Sequence, residues 1–143
     1  MKLLALIIVA LLTLMIISCA EEWPDGGKPP ELKQSREEVF SEIKQSKYFD
    51  DVSLGSGYST GRDFSGNFLS ITLKADSIPS SKRALMNHAR KAARILTRNV
   101  SNIEKYEFIE VSIVESGLDD LFYTGSTHDF RFRVKEFLKK GIG

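Results

Sequence analysis

Asn67-Phe68-Leu69-Ser70-Ile71-Thr72-Leu73-Lys74-Ala75, followed after Asp76-Ser77 by Ile78-Pro79-Ser80-Ser81-Lys82-Arg83-Ala84-Leu85-Met86-Asn87-His88-Ala89-Arg90-Lys91-Ala92-Ala93-Arg94-Ile95-Leu96-Thr97-Arg98-Asn99, decides the fold. In the first part Leu69, Ile71, Leu73 and Ala75 alternate with Ser70, Thr72 and Lys74. That is the period of a strand with one buried face. In the second part the period changes. Leu85, Ala89, Ala92, Ala93, Leu96 and Val100 fall on one arc of a helix running from about Ile78 to Asn99,. Pro79 suits its first turn, where backbone N–H groups lack helical partners. The alanines let the helix lie close on a sheet.

Outward from this pair, two more strands follow. Tyr106 to Glu115 places Ile109, Val111 and Ile113 on one face and Tyr106, Phe108 and Val114 on the other. His128, Phe130, Phe132 and Val134 alternate with Asp129, Arg131, Arg133 and Lys135, giving a last strand with a charged outer face,. Phe137 and Leu138 begin a final turn. On the other side, Val52 to Tyr58 reads as a glycine-weakened strand, joined by a hairpin to Asn67–Ala75. Ser35-Arg36-Glu37-Glu38 is a capping-box pattern that opens a short helix to about Lys47,. Tyr48 and Phe49 then plug into the core. The order helix, two strands, long helix, two strands predicts an α+β two-layer sandwich. Its sheet is mainly antiparallel and is packed by one long Ala-rich helix, with a short N-terminal helix beside it.

The N-terminus carries a different message. Lys2 is a short positive region, Leu3 to Ile17 is apolar but for one Thr, and Ser18 and Ala20 flank the sole cysteine, Cys19. The run is nearer to a signal h-region than to the ~20 apolar residues of a membrane span. Ile16-Ile17-Ser18-Cys19 resembles the lipobox of bacterial lipoproteins. The resemblance covers the first twenty or so residues only. It implies a signal peptide over 1–18, cleavage before Cys19 and acylation of Cys19 by several chains, enough for stable anchoring. It also implies residence at the bacterial cell envelope, with the domain outside the cytoplasm. Ala20 is not the Asp associated with inner-membrane retention in some lipoproteins and is compatible with an outer membrane. A lone cysteine leaves an exported domain no internal disulfide to form.

Residues 19–34 then form a lipid-anchored tether rich in Pro and Gly, in which Trp23 suits a membrane interface,. Residues 35–143 form one domain. The chain has a formal net charge of +1. Loss of Lys2 with the signal balances acids and bases, which argues against a general nucleic-acid binder,.

Candidate sites are few. Arg83, Arg90, Lys91, Arg94 and Arg98 share the helix arc opposite the apolar one, and Ser80 to Asn102 holds no acid. Such a face attracts an acidic protein, an anionic lipid or an anionic glycan over ~10 Å at moderate salt. The competing reading is a solvated face offset by Glu104, Glu107, Glu110, Glu115, Asp119 and Asp120,. Leu121, Phe122 and Tyr123 form a second candidate, a binding lip on the loop from Ser116 to Thr127. Gly57-Tyr58-Ser59-Thr60-Gly61 matches G-x-S-x-G, and Asp119 or Asp120 and then His128 follow in the Ser…Asp…His order of a hydrolase,. No helix signal follows Ser59, which that motif requires. Gly55, Gly57 and Gly61 miss the phosphate-loop spacing. His88 and His128 are the only histidines, and no metal-ligand spacing or cofactor motif occurs,. Three function classes result: a non-catalytic binding module at the envelope, a small serine hydrolase using Ser59 and His128, and a structural or protective envelope protein without a discrete site.

Overall fold

A computed structural model describes residues 29–45, 48–116 and 125–139. The signal segment, Cys19, Trp23 and the lip residues Leu121, Phe122 and Tyr123 lie outside the described residues, as do Asp119 and Asp120. The elements in order are α1 (Arg36–Lys44), β1 (Asp51–Thr60), β2 (Ser65–Ala75), α2 (Lys82–Asn99), a 3-10 turn (Ile103–Lys105), β3 (Phe108–Glu115), β4 (Thr127–Arg133) and α3 (Val134–Leu138).

The fold is α+β, built on a four-stranded mixed sheet of order β1-β2-β3-β4. β1 with β2 and β3 with β4 are antiparallel hairpin neighbours, whereas β2 with β3 is parallel. The expectation of a mainly antiparallel sheet is corrected at its centre. The cause is α2: a long helix between two strands carries the chain back to the end where it started, so the next strand runs parallel. The register aligns the apolar rows. Leu69, Ile71 and Leu73 lie opposite Ile109, Val111 and Ile113, and Ile109 and Val111 lie opposite Phe132 and Phe130.

α1 begins as its capping box requires. Ser35 Oγ accepts from Glu38 N at 3.2 Å, and Glu38 Oε2 accepts from Ser35 N at 3.0 Å,. The helix ends at Lys44, short of the expected Lys47. α2 starts at Lys82, three residues past Pro79, because the Ser81 hydroxyl caps it by accepting from Ala84 N,.

Leu85, Ala89, Ala92, Ala93 and Leu96 are buried in one cluster with the strand rows and with Val39 and Ile43 of α1. Ile95, Thr97 and Asn99 are buried too, so α2 hides a wider arc than its apolar residues mark. Thr97 and Asn99 tolerate this because their side chains donate to carbonyls one turn back, Ala93 O at 2.8 Å and Ile95 O at 3.0 Å,. The segment before α1 is tied to the end of α2. Lys33 N donates to Asn99 O, Ser101 N donates to Glu31 O, and Leu32 bridges Val100. Part of the composition-defined tether thus belongs to the folded unit.

Three local expectations are corrected. Tyr106 precedes β3, on the turn after the 3-10 segment, so strand alternation does not reach it and it is buried. β4 ends at Arg133, because Val134 turns into α3. Phe49 enters the core, but Tyr48 stays 48% exposed.

Candidate functional site

Two charged surfaces compete for attention. The first is the face of the sheet turned away from the main core. Register brings Ser53, Thr72, Ser112 and Asp129 into one row across the four strands, and Gly55, Ser70, Glu110 and Arg131 into the next. These charges answer one another. Arg131 Nε and Nη2 both reach Glu110 Oε1, at 2.9 and 2.5 Å, and Ser112 donates to Asp129 at 2.6 Å. Phe64, from the β1–β2 connection, folds over this face. Its ring lies edge-on to Phe108 with centroids 4.0 Å apart, and the Arg131 guanidinium caps it at 4.0 Å,. Gly57 permits the packing beside it: a Cβ there would stand 2.7 Å from Phe68 Cζ.

The second surface is the outer arc of α2. Arg83, Arg90, Lys91, Arg94 and Arg98 are all exposed, as the arc assignment predicts. Arg98 is held by Glu42 of α1 at 2.5 Å, in an exposed pair. Among the described residues, Arg83, Arg90, Lys91 and Arg94 have no ion-pair partner. Of the acids expected to offset them, Asp119 and Asp120 lie outside the described residues, and none of the described ones pairs with these four cations. Glu110 is committed to Arg131, Glu115 accepts from Ser126, and Glu104 and Glu107 line a separate cavity with Arg133 and Lys135.

Chain reversal after β4 adds residues to this arc that sequence spacing does not connect to it. Arg90 and Arg94 line a cavity of about 310 Å³ together with Glu136, Phe137 and Lys139. The Arg90 guanidinium stands 5.3 Å over the Phe132 ring, and Phe132 meets Phe137 edge-on at 5.9 Å. Phe137 is therefore the one apolar side chain in a lining that is otherwise charged. No pattern in residues 134–139 signals this, because it depends on where β4 ends.

Ser59 and His128 are not brought together. Ser59 lies on edge strand β1 near the β1–β2 turn, where its hydroxyl donates to Phe64 O at 3.3 Å. His128 lies on the opposite edge strand, paired with Ile113, at the other end of the sheet. Three strand spacings, ~14 Å, separate the two strands alone. No nucleophile–base hydrogen bond spans such a gap.

His88 packs edge-on against Tyr48 at 4.8 Å and Phe49 at 5.7 Å. Burial, with a smaller contribution from Lys91, holds its pKa below the usual histidine value,. Tyr106 is pushed the other way. Burial raises its pKa, partly opposed by hydrogen bonds with Ser56 and Asn102.

Among the described residues no helix is long and apolar enough to cross a membrane. Comparison with known proteins finds no matching family model, no matching curated protein and no matching solved structure.

Proposed function

We propose that the chain is a membrane-anchored envelope lipoprotein whose domain is a non-catalytic binding module, with the outer arc of α2 as its contact surface for an anionic partner. The observation that carries this reading is the set of four exposed cations on the outer arc of α2 without an ion-pair partner among the described residues. A merely solvated charged surface usually mixes both signs, as the sheet face of this domain does. Here, among the described residues, the cations outnumber the acids beside them, Glu42 at Arg98 and Glu136 at Arg90 and Arg94. The anchor rests on the lipobox resemblance and on Cys19.

The finer architecture belongs to the same reading: a two-layer sandwich in which α2 covers one sheet face and presents its arginines outward. Burial of Leu85, Ala89, Ala92, Ala93 and Leu96 in one cluster with the strand rows supports it. Glycine-rich β1 then reads as a structural edge strand with no catalytic role, given the separation of Ser59 from His128.

The test is retention of the full chain on an immobilised polyanion, such as polyglutamate, as salt is raised. The wild type is expected to be retained, and Arg90→Glu/Arg94→Glu to elute much earlier, with the difference largest at low salt. Equal retention overturns the basic-face reading. Intact mass of the membrane-extracted protein, beside a Cys19→Ala control, tests the anchor. The reading expects loss of residues 1–18 and an acyl mass on Cys19, and an unprocessed chain refutes it.

A further inference from the structure

We infer that the cavity between α2 and α3 is a seat for the headgroup of an anionic glycerophospholipid. This inference rests on the basic-face reading and narrows it from anionic partners in general to one ligand chemistry and one place on the face. The cavity is lined by Arg90, Arg94, Glu136, Phe137 and Lys139 and encloses about 310 Å³. That volume lies at the lower end of small-molecule sites, the size of a headgroup and too small for a folded partner.

Its lining divides by chemistry. Arg90, Arg94 and Lys139 offer a phosphodiester planar forks and a point charge, the groups that bind phosphate oxygens best. Glu136 is the one acid, and it accepts hydrogen bonds only. It therefore favours a ligand that brings hydroxyl donors along with a single negative charge, as a phosphoglycerol headgroup does, over a bare phosphate. Phe137, backed by Phe132, supplies an apolar wall for the glycerol and ester region. Leu138, 42% exposed, lines the neighbouring cavity on the other side of α3 and takes no part in this seat. An acidic protein gives no reason for the apolar Phe137 side chain among these charges.

One feature opposes the charge pattern. The neighbouring cavity on the other side of α3, about 660 Å³, includes Glu104 and Glu107 beside Arg133, Lys135 and Leu138. The anionic ligand is thereby directed to the α2 side of α3.

The experiment titrates the full chain, held in neutral detergent, with dihexanoyl-phosphatidylglycerol, dihexanoyl-phosphatidylcholine and inorganic phosphate. Amide signals of residues 90–94 and 136–139 provide the readout. Phosphatidylglycerol is expected to bind saturably, and the other two at least about tenfold more weakly. Arg94→Glu should lose about tenfold in affinity and Arg94→Lys should recover part of it. Arg83→Glu, on the same arc but outside the cavity, should change little. A circular-dichroism melt checks that each variant folds. Equal binding of the two lipids, or equal losses from Arg83→Glu and Arg94→Glu, overturns the inference. Phosphate binding as tight as phosphatidylglycerol means an anion site without lipid selectivity and also overturns it. If any of these occurs while polyanion retention still depends on Arg90 and Arg94, the basic-face reading stands and only its lipid assignment falls. If retention fails as well, both fall.

Discussion

The outer face of the sheet and the outer arc of α2 look alike in the sequence, since each is a row of charged side chains opposite an apolar row. Folding treats them differently. On the sheet, Arg131 is spent on Glu110 and on the ring of Phe64, and Asp129 on Ser112. On the helix, only Arg98 is matched among the described residues, by Glu42. A charge whose neighbours neutralise it contributes locally to stability, whereas a charge without a partner contributes to the field outside the molecule. On the proposed reading, the first surface serves the fold and the second a partner.

The largest expected contrast comes from truncating one side chain on each face. Phe64 is 6% exposed and bridges Phe108 and Arg131. Phe64→Ala should cost about 3 kcal/mol in chemical denaturation. Arg94→Ala should change stability by no more than about 0.5 kcal/mol, as expected at an exposed site. A comparable loss at both positions erases the distinction between the faces. Next in size is Arg131→Glu, which sets two like charges across β3 and β4 and removes the cap on Phe64. A loss of about 1–2 kcal/mol is expected, with partial recovery on adding Glu110→Arg and no change in polyanion retention. A change in retention would show that the sheet face also contributes to binding.

The parts of this fold legible in the sequence were those set by periodicity. β2, α2, the core of β3 and the capping box of α1 follow from local spacing and cap chemistry, and the basic arc of α2 comes with the helix. The parallel pairing of β2 with β3 is not set by strand periodicity; its signal is the long helix between the two strands. At Tyr106 and Val134 the alternation runs on past the strands, at one end into a 3-10 turn and at the other into α3, so periodicity alone overextends both. The cavity at Arg90 and Arg94 was out of reach for a stronger reason. Arg94 and Phe137 meet through the path of two strands between them, and no local rule links residues so far apart. The Ser59 motif shows the converse: five residues match a pattern, but the sheet puts His128 on its opposite edge.

A smaller effect separates the cations within the helix arc itself. Arg98 is paired with Glu42, so Arg98→Glu should lower polyanion retention less than Arg94→Glu. It should also cost up to about 1 kcal/mol of stability, from the lost pair and the new repulsion,. If Arg98 and Arg94 are equivalent in retention, pairing with Glu42 does not screen the field.

The smallest effect is at the border between the buried and basic arcs, where His88 sits against Tyr48 and Phe49. Burial and Lys91 hold its folded pKa below the unfolded value near 6.5. Below that value the unfolded chain therefore takes up a proton more readily than the native one. Stability from this group is present above about pH 6.5 and declines as the pH falls toward the lowered native value. Protonation at this site would also add charge to a helix already rich in it. His88→Phe keeps an aromatic ring beside Tyr48 and Phe49 but does not titrate. Its melting temperature should fall less than that of the wild type between pH 7 and pH 5.5. Identical pH profiles would mean that His88 is as readily protonated in the fold as out of it, and that the neutral arc of α2 ends before His88.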